Sequence, residues 1–457
     1  MIKPLKELSL VSKNLKEAVE MVWHPYVQMK DYKSKTILMT EGEGIYLKDD
    51  SGKTYIDGVS SLWNVCLGHS NKEITKEIIE QMNQLQFFSL FGGYSNQPSI
   101  ELALLISEIT QNRYKHFFYT NSGSEAIDSA IKIVRQYFKN KKQDKRTKII
   151  SLMRSFHGTT YGAMSAGGLS PKRYEPYKPV LEGFVKIPPP YCYRCPYNKR
   201  HPECNLVCAN KLEEIILEEG ADTIAAFLAE PILGVGGLIV PPDDYFEKIK
   251  LICDKYGIKL IIDEISTGFG RLGTGLGIDH WKVEPDIFCG AKGISSGYSP
   301  LGVVGVSDEV FEAFYGDFND EMIRLNHGFT TAGHPISCKA GVATLKFMKK
   351  ENILEKVKQK GAFFKKQLEQ LKEISIVKDI RGKGLMWGIE LSDEFELAPL
   401  TFQIAKRKGL ITFLTDPPNV IAIFPPFIAT ENELIRIREI LQEAIELAEE
   451  RVRMMEE

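Results

Sequence analysis

Short apolar, β-branched runs alternate with longer amphipathic stretches along most of this chain. KIISLM (148–153), AAFLAE (225–230), IKLIIDE (258–264), DIFCG (286–290) and VVGVS (303–307) read as strands, with helix-length patterns between several of them. That alternation predicts an α/β lobe with a mostly parallel sheet. From about Glu351 the pattern changes. Long charged helical periods, NILEKVKQKGAFFKKQLEQL and ENELIRIREILQEAIELAEE, flank the strand candidates IRGKGLMWGIEL and VIAIFPP, which predicts a smaller α+β lobe. The sequence has no internal repeat and no low-complexity linker.

Three segments of the larger lobe carry candidate chemistry. FFYTNSGSEAIDSAIKIVRQYF (117–138) reads as a strand, a polar turn and an amphipathic helix with Ala126, Ala130 and Val134 on one face. The turn at Ser122, Gly123 and Ser124 can present first-turn amides to an anion, or can be an ordinary serine N-cap. LIIDEISTGFGRLG (260–273) ends an apolar strand on Asp263 and Glu264, at the edge where α/β sheets bind ligands; a solvated acidic pair would look the same. CGAKGISSGYSPLG (289–302) sets Lys292 among glycines and serines, either as a solvated turn lysine or as a reactive amine.

A phosphate cradle, an acid and a lysine together suit pyridoxal phosphate. The amine condenses with the aldehyde, a carboxylate keeps the ring nitrogen protonated, and the helix terminus anchors the phosphate. RSFHGTT (154–160) offers Phe156 as a stacking ring beside His157.

Composition narrows the class of partner. With 457 residues, 43% hydrophobic and 26% charged, the chain is long enough for two lobes around a large core. A net charge of -2 from 58 basic and 60 acidic residues gives no reason to expect nucleic acid or a membrane surface, so the expected substrates are small molecules. The opening MIKPLKELSLVSKNLKEAVEMVW is broken by charge every few residues, unlike a signal peptide, and a cytoplasmic location is expected. Cys66, Cys253, Cys289 and Cys338 stand singly, as reduced buried thiols do. Cys192, Cys195, Cys204 and Cys208 follow C-x2-C-x8-C-x3-C, a spacing compatible with structural zinc; thiols packed in a proline-rich loop account for it as well, and no metal is assigned.

TNSGSEA, SFHG, AEPILGVGG, IIDEISTGFGRLG, AKGISSGYSPLG and HGFTTAGHP, in this order, resemble the motifs of the class III (ω-) aminotransferases, which are fold type I pyridoxal phosphate enzymes. The resemblance runs from WHPYVQMK (23–30) to VIAIFPPF (420–427). It implies a large lobe over 70–330 with a seven-stranded-type sheet, and a smaller α+β lobe from 1–69 and 331–457. It also implies that Lys292 carries the cofactor and shuttles the proton, and that Asp263 pairs with the pyridine nitrogen. Ser122, Gly123 and Ser124 would hold the phosphate, joined by Thr330 from a partner subunit. Phe156, where many members have tyrosine, and Ile265 would cover the two ring faces, with His157 and Glu230 in the cofactor wall. Tyr26 and Trp63 match substrate-pocket positions. The implied assembly is a homodimer or a tetramer built from it, and the implied reaction is ping-pong transfer of an amino group to a 2-oxo acid.

Two subfamilies compete for the substrate. WHPYVQMK, SSLW and GYSPLG look like the adenosylmethionine-8-amino-7-oxononanoate aminotransferase of biotin synthesis. The GHP of HGFTTAGHP, Asn64 and the insert PYCYRCPYNKRHPECNLVCA look more like ω-amino acid, β-amino acid or amine transaminases. Both groups usually carry an arginine before the PPL-type motif, where its planar fork pairs with a carboxylate. Here Phe413, Leu414 and Thr415 occupy that region. The expected donor therefore lacks a carboxylate beside the reacting carbon: an amine, an ω- or β-amino acid, or a β-aminoacyl thioester such as 3-aminobutyryl-CoA. The acceptor is pyruvate or 2-oxoglutarate, with Arg271 and Arg324 as candidate cations for its carboxylate. An aminomutase on the same scaffold is a further reading, and it would need no 2-oxo acid.

Overall fold

The computed structural model describes residues 18–30, 36–317 and 320–456. Three strands open the chain, β1 (Met39–Glu43), β2 (Tyr46–Asp49) and β3 (Thr54–Asp57). Seven more make the central sheet: β4 (His116–Thr120), β5 (Lys148–Leu152), β6 (Phe184–Ile187), β7 (Ile224–Ala229), β8 (Lys259–Asp263), β9 (Ile287–Gly290) and β10 (Gly302–Val306). Their order is β4-β10-β9-β8-β7-β5-β6. Only β10 runs antiparallel to its neighbours, β4 and β9; the other pairs are parallel. β7 and β8 are buried at every position, as expected of strands covered on both faces by helices.

Parallel strands need long crossovers, and the amphipathic stretches supply them. Helix Gly123–Asn140 follows β4 and lays Ala126, Ala130 and Val134, each fully buried, against the sheet. Because β10 is antiparallel and adjacent to β9, residues 291–301 form a short connection between these two neighbours rather than a helical crossover. The Lys292 turn thus stays at the carboxyl end of β9, level with the ends of β5, β7 and β8.

The C-terminal portion holds β11 (Val377–Lys383), β12 (Met386–Leu391), β13 (Leu410–Ile411), β14 (Phe413–Leu414) and β15 (Val420–Ile423), with helices Ile353–Glu369 and Glu431–Glu456 packed on each other. β11 and β12 pair as a hairpin, and the sheet continues to β15 and β14. β13 leaves that sheet and pairs in parallel with β3, Leu410 opposite Ile56. This pairing brings the first strands of the chain beside its last third, a link that local pattern does not reveal. β6 and β14 also go beyond the sequence reading. They are short and partly open, so their apolar alternation is weak.

Among the described residues, no helix is long and apolar enough to cross a membrane. All eight cysteines are free thiols. The loop bearing Cys192, Cys195 and Cys204 leads into helix Val207–Glu219, which buries Cys208. Among the described residues, no three His, Cys, Asp or Glu side chains are grouped so as to hold a metal ion.

Candidate active site

A cavity of about 370 Å3 opens at the carboxyl ends of β5, β7, β8 and β9, within the size range of small-molecule sites. Ser122, Gly123, Ser124, Phe156, His157, Glu230, Asp263, Ile265 and Lys292 all line it, although they are spread over 171 positions from Ser122 to Lys292. The fold brings them together because each follows the end of a strand in one sheet.

Lys292 begins the turn after β9 with φ of +44°, in the left-handed region that side chains seldom adopt. Gly293 follows it, and Ala291 and Ser295 flank it in the cavity wall. The bare backbone noted in the sequence lets this turn pack closely while the amine reaches the cavity. Nζ donates to Ser266 Oγ at 2.8 Å and lies 4.6 Å from the Trp63 ring centroid. Desolvation by the surrounding walls pushes its pKa down to about 8, while Asp263 and Glu230 pull the other way.

Asp263, 3% exposed, ends β8. Its Oδ1 accepts from the Ile265 amide at 3.0 Å, and its Oδ2 lies 2.8 Å from His157 Nδ1. An N–H on Nδ1 fits that contact. Among the described residues, nothing hydrogen-bonds the buried Nε2 of the ring. Glu230 is buried beside the pair, accepting from the Phe156 and Gly234 amides at 2.9 Å each. Desolvation and then the Asp263 charge raise its pKa to about 8. Glu264, the other acid of the sequence pair, points elsewhere: it accepts from Thr267 Oγ1 and the Gly277 and Ile278 amides.

At the opposite wall, Ser122 is the N-cap of helix Gly123–Asn140, its Oγ accepting from the Glu125 amide at 3.2 Å. Ser124 Oγ accepts from the Thr159 amide at 3.1 Å. Each serine oxygen accepts one amide of the protein and keeps its O–H to donate, so the turn offers an anion these hydroxyls together with its first-turn amides and the helix dipole. A Cβ added at Gly123 would meet Ile265 Cδ1 at 2.8 Å, so a side chain there would have to displace Ile265. Ile265 and Phe156 both face the cavity.

Trp63 is 3% exposed, stacked on Phe424 at 4.4 Å and edge-on to Phe413 at 5.1 Å. Phe413 therefore stands beside the lysine's aromatic neighbour, where the sequence comparison expected an arginine. Neither proposed substitute lines the cavity. Arg271 is buried and donates to Leu385 O, Pro425 O and Ser60 Oγ, which makes it a strut between segments. Arg324 is exposed and pairs with Glu321 and Asn326. Tyr26 is 73% exposed under the Arg173 guanidinium and does not line the cavity, nor does the exposed Thr330. Ser266 and Asn64 are wall residues that motif reading did not assign, although both lie inside segments it singled out.

The donor set fits pyridoxal phosphate: a depressed lysine amine, a buried carboxylate–imidazole pair with an unmet ring nitrogen, and an open helix terminus. Residues 27–445 match the profile of the aminotransferase class-III family. The chain belongs to the class-III aminotransferases.

As a class-III aminotransferase it is a pyridoxal phosphate-dependent transaminase of fold type I. It is 37% identical over 463 residues to an adenosylmethionine-8-amino-7-oxononanoate aminotransferase of Methanocaldococcus jannaschii, covering 96% of this chain and 99% of that one. It is 38% identical over 367 residues to the chloroplastic gamma aminobutyrate transaminase 3 of Solanum lycopersicum, covering 78% and 69%. A transaminase crystal structure from the marine bacterium Virgibacillus superposes with a TM-score of 0.89 at 35% identity, covering 96% of this chain and all of that one.

Proposed function

We propose that this aminotransferase takes the amino group from a donor with no carboxylate on the reacting carbon and passes it to a 2-oxo acid in two half-reactions. Its donors are amines, ω- or β-amino acids, or a β-aminoacyl thioester. The observation that carries this reading is the absence of any arginine among the described residues lining the cavity, with the buried aromatic cluster of Trp63, Phe413 and Phe424 beside Lys292 and with Arg271 and Arg324 both engaged elsewhere. A carboxylate set on the aromatic side of Lys292 would lose its hydration without gaining a partner, so the 2-oxo acid would turn its carboxylate toward the polar residues of the cavity, among them Asn64 and Ser266. The aromatic side instead suits an apolar substituent.

Lys292 would hold the cofactor and move the proton at the reacting carbon, its depressed pKa raising the share of free amine near neutral pH well above that of an ordinary lysine. Asp263 would hold the ring nitrogen protonated, oriented by His157. The amides at Ser122, Gly123 and Ser124 would hold the phosphate, while Phe156, Ile265, His157 and Glu230 wall the ring. When bound, pyridoxal phosphate supplies the electron sink that makes the proton transfer possible. Trp63 would exclude water from the amine.

The working unit in this reading is a homodimer, with Thr330 reaching the partner's site. Leu62 at the cavity rim and the nearby Phe88, Phe91 and Tyr94 are exposed apolar groups that a second copy would cover.

A second reading, transfer to 8-amino-7-oxononanoate, is favoured by the name of the Methanocaldococcus relative. Single-turnover half-reactions followed by absorbance separate the two. The first reading expects fast turnover with terminal amines and ω-amino acids, and slow turnover with adenosylmethionine and with the oxononanoate. Comparable rates with the biotin precursors would overturn it. Lys292→Ala, expected to lower every rate by about 1,000-fold or more, separates enzymatic from background transfer.

A further inference from the structure

Arg154 lies two residues past the end of β5 and two before Phe156. Its carbonyl is pressed against Gly236, where an added Cβ would come within 1.8 Å, and its Nη2 lies against Gly237. The guanidinium stands 5.2 Å over the Tyr191 ring. Among the described residues, no acceptor bonds the buried Nε and Nη2.

The surrounding acids are already paired. Arg381 takes Asp379 and Glu390 at 2.8 and 2.7 Å, Arg194 takes Glu390 and Asp393, and Arg173 takes Asp416 at 2.9 Å. Tyr174 carries a second buried group with no partner among the described residues, its hydroxyl. A guanidinium and a phenol left this way ask for an acceptor from outside the chain.

Arg154 and Tyr174 line one cavity of about 730 Å3. It is separate from the cofactor cavity: the Asp416 amide donates to Val235 O at 2.8 Å, with Asp416 lining one cavity and Val235 the other. Lys178, paired with Glu175 at 2.7 Å, and Lys186, which donates to Ser151 Oγ and Ser165 O and whose pKa burial pushes down to about 7, also line its wall. The rest of the wall is largely apolar, with Leu169, Leu181 and Phe184. A guanidinium and two lysines in a wall that is otherwise largely apolar match a carboxylate carried on an apolar chain.

We propose that this cavity is a second binding site, for an organic carboxylate with an apolar body, whose carboxylate meets Arg154 and the Tyr174 hydroxyl. The site does not depend on which amine donor the enzyme uses.

The test is calorimetric titration of the holoenzyme with octanoate, and separately with inorganic phosphate. Saturable octanoate binding is expected. It should weaken at least tenfold in Arg154→Met and severalfold in Tyr174→Phe, and survive in enzyme whose cofactor cavity is blocked with phenylhydrazine. Leu181→Trp, which fills the cavity from its rim, should abolish it while leaving transamination intact, and it keeps the test decisive if Arg154→Met does not fold. Absence of octanoate binding, equal binding by wild type and Leu181→Trp, or loss on phenylhydrazine treatment would overturn the proposal; the last outcome would place octanoate in the substrate cavity. Phosphate binding as tight as octanoate would overturn the organic class of the ligand.

Discussion

His157 Nδ1 and Asp263 Oδ2 lie 2.8 Å apart, both side chains buried, although 106 positions separate them in the chain. β5 and β8 are not neighbours; β7 runs between them, and the pair closes across the end of that strand. Replacing Asp263 by Asn keeps the shape and removes the charge. We expect kcat/KM to fall about 100-fold or more, the scale of removing one preorganised electrostatic group, with weaker cofactor retention on dialysis. Unchanged steady-state rates in Asp263→Asn would remove this residue from the chemistry.

Lys292 titrates in an unusual window. Its folded pKa of about 8 lies below the ordinary value of about 10.4. Between those values the folded chain has released a proton that the unfolded chain still binds. This group's contribution to the stability of cofactor-free protein is therefore lowest below pH 8 and improves as pH rises through the window. Acetylation of Lys292 by acetic anhydride, followed by peptide mass spectrometry, should show a midpoint near 8. Lys292→Met should raise Tm of the cofactor-free protein at pH 7, with the gain shrinking toward pH 10. A midpoint above 10 would show that the walls do not desolvate the amine.

Gly158 has φ of +134°, and a Cβ there would come 2.5 Å from Ser124 Oγ. Gly158→Ala must strain the backbone and displace the serine that holds the 156–160 loop to the helix terminus. The expected cost is about 1–3 kcal/mol in denaturant unfolding, with cofactor lost more readily than from wild type. Gly123→Ala should be milder in stability, because its Cβ meets the movable end of Ile265.

Glu264 accepts three hydrogen bonds, from Thr267 Oγ1 at 2.6 Å and from the Gly277 and Ile278 amides at 2.8 Å. Glu264→Gln sets a donor against one of these donors and should cost about 1–3 kcal/mol. Burial raises the acid's pKa to about 7, above its unfolded value of about 4.3. Its stabilising contribution is full below about 4.3 and is lost as pH rises through 7. The stability gap between wild type and Glu264→Gln should therefore narrow from pH 5 to pH 7. A gap that widens would mean the three donors hold the acid ionised.

Much of the site was legible because its chemistry is local. Strand-ending acids, a glycine turn before a helix and a lysine in bare backbone are each contiguous in sequence, and their order along the chain carried the family resemblance. β5, β7, β8, β9 and β10 were visible as apolar runs because they are buried on both faces. The β3–β13 pairing was not, since strand partners far apart leave no periodic trace.

By itself, then, the sequence determined the α/β class, the cofactor and the residue types that could serve it. Only the tertiary structure decided which groups meet. It gave the Ser122 hydroxyl to a helix cap and Arg271 to backbone carbonyls, and set Phe413 against Trp63. Among the described residues it also left Arg154 Nε and Nη2 and the Tyr174 hydroxyl without a hydrogen-bond partner, in residues that line a separate cavity. The reason is physical. Residue type sets what a group can donate, accept or ionise, whereas packing sets whether its partner is protein, water or ligand, and that choice is made by contacts distant in sequence.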